Sequence, residues 1–191
     1  MSININSVNP SNPQNLHYLA ITALGKDHLG ILEAFTKVSK QCGCNIIESK
    51  MSKFGEECAL LIYLTGSWNT VAKLEAALPP IAQQYSFLLQ TKRTLPHIPC
   101  NALPYHVQVI AQDRAGILNE LAQFFTQAGI SVEQMNCETY RVRNHTMMVS
   151  ITFLINIPVK QHLATIRERF MVYCEDRNLD AVIEPDKNAV L

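Results

Sequence analysis

Residues 113–118 read Asp113-Arg114-Ala115-Gly116-Ile117-Leu118, and 86 positions earlier the chain reads Asp27-His28-Leu29-Gly30-Ile31-Leu32. Laid over each other at that offset, residues 27–46 and 113–132 share six identities in twenty positions: Asp27/Asp113, Gly30/Gly116, Ile31/Ile117, Leu32/Leu118, Gln41/Gln127 and Gly43/Gly129. Chance gives about one. Phe35/Leu121 and Ile46/Val132 keep the same register, so the chain reads as one unit written twice.

Working outward from each loop, Leu19, Ile21 and Ala23 alternate before Asp27, and Tyr105, Val107, Val109 and Ala111 alternate before Asp113. That period of two is a strand buried on one face. After the loop, Ile31, Phe35, Val38 and Cys42, and in the second copy Ile117, Leu121, Phe124 and Phe125, recur at helical spacing. Gly43 and Gly129 end those helices, since glycine adopts positive φ without a Cβ penalty. A hairpin around Gly55-Glu56 and a longer one around Arg143-Asn144-His145 predict the next strand pairs. Second helices follow, one carrying Val71, Leu74, Leu78 and Ile81, the other Leu163, Ile166, Phe170 and Tyr173. Pro79-Pro80 inside the former predicts a kink or a restart, because two backbone donors are missing. Phe87–Thr91 and Leu179–Ile183 close each unit as a fourth strand. The fold class is α+β, two tandem ferredoxin-like βαββαβ units with antiparallel sheets and helices on one face. The expected boundaries are a polar leader at 1–16, units at 17–93 and 105–186, and a proline-rich linker at 94–104.

Composition narrows the function. Sixteen basic against sixteen acidic residues leave zero formal net charge, so no basic field draws the chain to nucleic acid or an anionic membrane. The N-terminal stretch lacks a secretory or transit pattern and no run is long enough to span a bilayer, which predicts a cytoplasmic protein. Six cysteines and six histidines show no metal-ligand spacing, Cys42 and Cys44 sit at a predicted helix end, and no nucleophile, phosphate-loop or dinucleotide motif occurs. No catalytic residue and no cofactor is expected. Trp68, before a predicted helix, reads first as a hydrophobic staple and second as a partner anchor.

The repeated Asp-x-x-Gly junction admits two readings. A helix N-terminus exposes backbone N–H groups suited to a carboxylate, and a nearby Asp suits an ammonium, the two ends of a free amino acid. Equally, Asp and Gly are the commonest turn residues and need do nothing more.

The βαββαβ order, the Asp-x-x-Gly-Ile-Leu loop and Gly43-Cys44-Asn45-Ile46 together resemble the ACT domain, a regulatory module that binds amino acids. Gly66-Ser67-Trp68-Asn69, Leu74-Glu75, Leu78-Pro79 and Lys92-Arg93-Thr94 resemble in particular the stand-alone paired members that repress glycine-cleavage genes. The resemblance implies a non-enzymatic regulator that binds a small amino acid, glycine, and acts on a DNA-bound LysR-type activator without touching DNA itself. It implies ligand contacts at Asp27, Gly30, Ile31 and Asn45, and a weaker set at Asp113, Gly116, Ile117 and Ser131, where Ser131 replaces the strand-start Asn. The other reading it allows is a regulatory subunit or fragment controlling a metabolic enzyme. Open sheet edges further suggest homo-oligomers.

Overall fold

The computed structural model describes residues 16–96, 101–143 and 145–186. The leader and part of the expected linker, 97–100, lie outside them. Twelve elements follow in chain order: β1 His17–Lys26, α1 Ile31–Gln41, β2 Asn45–Phe54, β3 Glu57–Gly66, α2 Trp68–Gln84, β4 Leu88–Thr94, then β5 Ala102–Gln112, α3 Ile117–Gln127, β6 Ser131–Arg141, β7 Met147–Pro158, α4 Leu163–Glu175 and β8 Asp180–Pro185. The chain divides into two compact units, Met1–Ile98 and Pro99–Leu191.

Each unit is βαββαβ. The sheets run β2-β3-β1-β4 and β6-β7-β5-β8, antiparallel throughout. Alternation along β1 sends Leu19, Ile21 and Ala23 inward, where they meet Leu60, Ile62 and Leu64 of β3 and Ile31, Phe35, Leu74 and Leu78 of the helices. The second core repeats this with Val107, Val109, Ile151, Phe153, Leu121, Phe125 and Phe170. Central strands therefore bury one face and leave residues such as Leu24 and Leu61 exposed on the other, whereas the edge strand β6 is exposed along all eleven residues.

Among the described residues all four helices stop in a similar way. A residue two past the last helical one, or three past it in α4, takes positive φ (Gly43 +77°, Ser86 +56°, Gly129 +67°, Asn178 +54°), and the next N–H reaches back to a carbonyl of the last turn: Cys44 to Ser39 at 3.0 Å, Phe87 to Ala82 at 2.8 Å, Ile130 to Phe125 and Leu179 to Cys174 both at 2.9 Å. Otherwise orphaned carbonyls are thus satisfied.

Three expectations need correction. α2 runs unbroken through Pro79 and Pro80, with no restart. Both prolines are exposed, off the face that Leu74 and Leu78 bury in the core. Trp68 is no staple: it begins α2, stays 57% exposed, and stacks under the Arg93 guanidinium 5.6 Å from its ring. β5 starts at Ala102, inside the stretch read as linker, and includes Pro104. The Pro104 carbonyl accepts the Asp186 N–H at 3.0 Å, so the donor Pro104 lacks would face the end of β8, beyond its last paired residue Pro185. No rung of the ladder is lost.

Irregularity is shared as well. Register slips by one residue between Ile46 and Glu48 on β2, and between Val132 and Gln134 on β6, leaving Ile47 and Glu133 as the extra residues.

Candidate functional site

The two Asp-x-x-Gly loops join the end of the first strand to the first helix in each unit. Asp27 N–H is held by the Glu56 carbonyl at 3.1 Å and Asp113 N–H by the Met147 carbonyl at 2.9 Å, so the tip of the neighbouring hairpin fixes each loop. Gly30 and Gly116 sit in the left-handed region, with φ of +92° and +98°, which glycine alone enters cheaply. Each is the N-cap of its helix and offers no side-chain cap, and in the first unit the Ile31 N–H turns back to the His28 carbonyl at 3.3 Å. Ile31 and Ile117 begin those helices but point into the cores, at 1% and 3% exposure. Their part is to anchor the loop from below.

Asn45 and Ser131 are not beside these loops. Asn45 pairs with Thr65 and Lys26 with Glu57, eight residues apart on β3; at about 3.3 Å per residue that is roughly 26 Å. Ser131 stands equally far from Asp113, opposite Asn156 while Gln112 faces Met148. A single small ligand within one unit touches one end or the other.

The electrostatics of the two loops differ. In the first unit the Lys53 ammonium, at the end of β2, makes an ion pair with Asp27, and the Asp27 carboxylate pushes the Lys53 pKa up. The Gly30 end is open: a Cβ there would meet nothing within 4 Å. A groove leads from Gly30 along α1 and α2 past Ala34, Lys37 and Gln84. In the second unit Arg114 donates to both Glu120 carboxylate oxygens at 2.7 and 2.8 Å, and its guanidinium holds the Glu120 carboxyl below the usual range. Glu120 Oε1 lies 3.8 Å from where a Gly116 Cβ would be. Tyr173 Oη donates to the Glu120 carbonyl at 2.9 Å, and Arg177 stacks 3.7 Å from the Tyr173 ring centroid. On its other side the loop opens to a cavity lined by Asp113, Arg114, Arg177 and Asn178.

Chain position alone does not reveal these contacts. Lys53 meets Asp27 across a hairpin, and Arg114 reaches Glu120 out of a loop. The usable signal lay in the repeat itself, where Ala34 aligns with Glu120 and His28 with Arg114.

The thiols stand apart from the loops. Burial pushes the Cys174 pKa up to about 11 and raises Cys58 and Cys44 as well, which keeps them protonated at neutral pH. Among the described residues no group of three or more His, Cys, Asp and Glu forms a metal cluster, and no helix is long and apolar enough to cross a membrane.

Comparison with known proteins agrees with this architecture. The ACT domain family matches residues 17–92. The glycine cleavage system transcriptional repressor of Escherichia coli is 30% identical over 170 residues, covering 87% of this chain and 89% of its own length, and that of Shigella flexneri matches equally. A crystal structure assigned the same repressor name superposes with a TM-score of 0.70 at 28% identity, covering 91% of this chain and 99% of that one. A Galdieria sulphuraria protein shares the fold at TM-score 0.71 and 18% identity, over 89% of this chain and 98% of that one. Similarity along nearly the whole length, on a duplicated βαββαβ frame, means that this chain belongs to the ACT-domain family, in the group of the glycine cleavage system transcriptional repressors.

Proposed function

We propose that this protein is a cytoplasmic, non-enzymatic repressor of glycine-cleavage genes that senses glycine and acts through a DNA-bound LysR-type activator. The observation that carries it is the Gly30 junction: open space over a positive-φ glycine at an uncapped helix N-terminus, in a chain similar along 87% of its length to a named repressor. Residues 17–93 and 105–186 serve as the two sensing modules. The α1 N–H groups behind Gly30 receive the glycine carboxylate, Asp27 receives its ammonium once Lys53 swings aside, and Ile31 fixes the loop. Asp113, Gly116 and Ile117 make the corresponding weaker contacts. Asn45 and Ser131, at the far end of their sheets, join a ligand only where a second copy of the chain presents its strand edge.

A ceiling of about 1.5 kcal/mol per non-hydrogen atom limits a ligand of glycine's size to about 7.5 kcal/mol, so Kd is no tighter than about a few micromolar. That range suits a metabolite sensor. Zero net charge and helices already packed on sheets argue against direct DNA contact. Coupling is reciprocal, so activator and glycine change each other's affinity by the same factor. In a gel-shift assay the protein alone should leave promoter DNA unshifted and should alter the activator–DNA complex in a glycine-dependent way. A sequence-specific shift by the protein alone would refute the proposal.

A further inference from the structure

The outer face of the first sheet is apolar where that of the second is not. Tyr18, Ala20, Thr22 and Leu24 of β1 alternate with the residues that enter the core, and they pair with Thr65, Tyr63, Leu61 and Ala59 of β3 and with Thr94, Lys92, Gln90 and Leu88 of β4. The helices pack on the opposite face, and Leu24, Leu61 and Leu88 stay 44%, 49% and 75% exposed. Register matches these three to Ile110, Thr152 and Asp180 in the second sheet, where Gln108 and Ser150 replace Thr22 and Ala59. The same fold thus accepts a polar outer face, so folding alone does not call for the leucines of the first.

We propose that this face binds the same face of a second copy of the chain, across a two-fold axis that lies along the strands between β3 and β1. That operation lays β3 over β1 of the other copy and β2 over its β4, rung over rung. On three successive rungs large then meets small: Tyr63 over Ala20, Leu61 over Thr22, and Leu24 over Ala59. Leu61 stands between two hollows of about 350 Å³ and about 210 Å³ that share Thr22, and these receive the Leu61 of the other copy. At the rim, Glu48 and Lys92 are the two ends of one rung that runs through Tyr63 and Ala20, so each Glu48 meets the other copy's Lys92. Glu48 otherwise pairs with Lys50 on its own strand at 3.0 Å, an exposed pair that is exchanged cheaply. The matching ends in the second unit are Gln134 and Glu184, which carry no opposite charges. Strand spacing of about 4.8 Å and a rise of about 3.3 Å per residue give the face over Tyr18–Leu24 roughly 440 Å² in projection, before side-chain relief. A standard interface buries ~800 Å² of accessible surface per partner, so this dimer is a reversible, concentration-dependent one. Both strand edges stay free, and the edge contact of Asn45 is separate from it.

Sedimentation equilibrium of the full chain over a concentration series tests it. Wild type should pass from one chain to two as concentration rises. Leu61→Glu should weaken the dimer about tenfold or more, because it buries a charge at the centre of an apolar contact, whereas Thr152→Glu at the matching place should leave it unchanged. Glu48→Lys and Lys92→Glu should each weaken it about three- to tenfold. An equimolar mixture of those two variants should regain it, since the two-fold axis then sets opposite charges together at both ends; this arm also serves if Leu61→Glu lowers the melting temperature. A wild type that stays monomeric throughout would overturn the proposal and leave the face to a different protein. A dimer indifferent to Leu61→Glu and to both charge reversals would overturn it in favour of pairing through strand edges. Equal damage by Thr152→Glu, or a mixture no stronger than its components, would also sink it.

Discussion

Asp27 illustrates how one pairing conditions the chemistry of a loop. Its carboxylate meets the Lys53 ammonium, the same group that a free amino acid would present to it. Ligand and lysine therefore compete. Lys53→Met should tighten glycine binding about two- to fivefold, the scale on which exposed ion pairs act, as read by calorimetry against an Asp27→Ala control in which binding is lost. Weaker binding in Lys53→Met would mean that the lysine positions Asp27 for some other purpose.

At the scale of elements, each unit tunes the contact between its first and last strands separately. A Cβ on Gly25 would lie 2.8 Å from Phe87 Cδ2 and 3.0 Å from Phe87 Cα, so β1 comes this close to the start of β4 only without a side chain. In the second unit the aligned residue is Ala111, and a smaller Leu179 stands in place of the phenylalanine. Gly25→Ala should cost about 1–3 kcal/mol through overpacking, and adding Phe87→Leu should recover part of that loss, a coupling measurable by a double-mutant cycle of urea melts. Simple addition of the two costs would show that the residues do not share one space. Such element-level fit also marks the limit of reading the chain by pattern. Leu19, Ile21, Ala23 and Ile31, Phe35, Val38 announced strand and helix because burial imposes period. Of the kink or restart read from Pro79 and Pro80, the restart does not occur, because their cost depends on which side of α2 they occupy, and that is set by Leu74 and Leu78 packing inward. Gly30 and Gly116 were legible as loop glycines; Lys53 over Asp27 and Arg114 over Glu120 were not, since nothing periodic links residues that meet across a turn.

For the molecule as a whole, two cores that share no residue imply two centres of stability. Phe170 is fully buried against Phe124 and Phe125, with ring centroids 5.1 and 5.6 Å away. Phe170→Ala should cost about 3–5 kcal/mol, and native-state hydrogen exchange should show the amides of β5, β7 and β8 losing protection while those of β1, β3 and β4 keep theirs. Equal loss in both sets would mean that the units unfold as one. The extra residues Ile47 and Glu133, each the third of its strand, lie 86 positions apart, the offset of the loops themselves. An insertion that distorts a ladder is hard to acquire twice at matching places. It is most simply an heirloom, present in a single ancestral half before the gene was copied, and handed down since to two descendants whose loops have diverged around it.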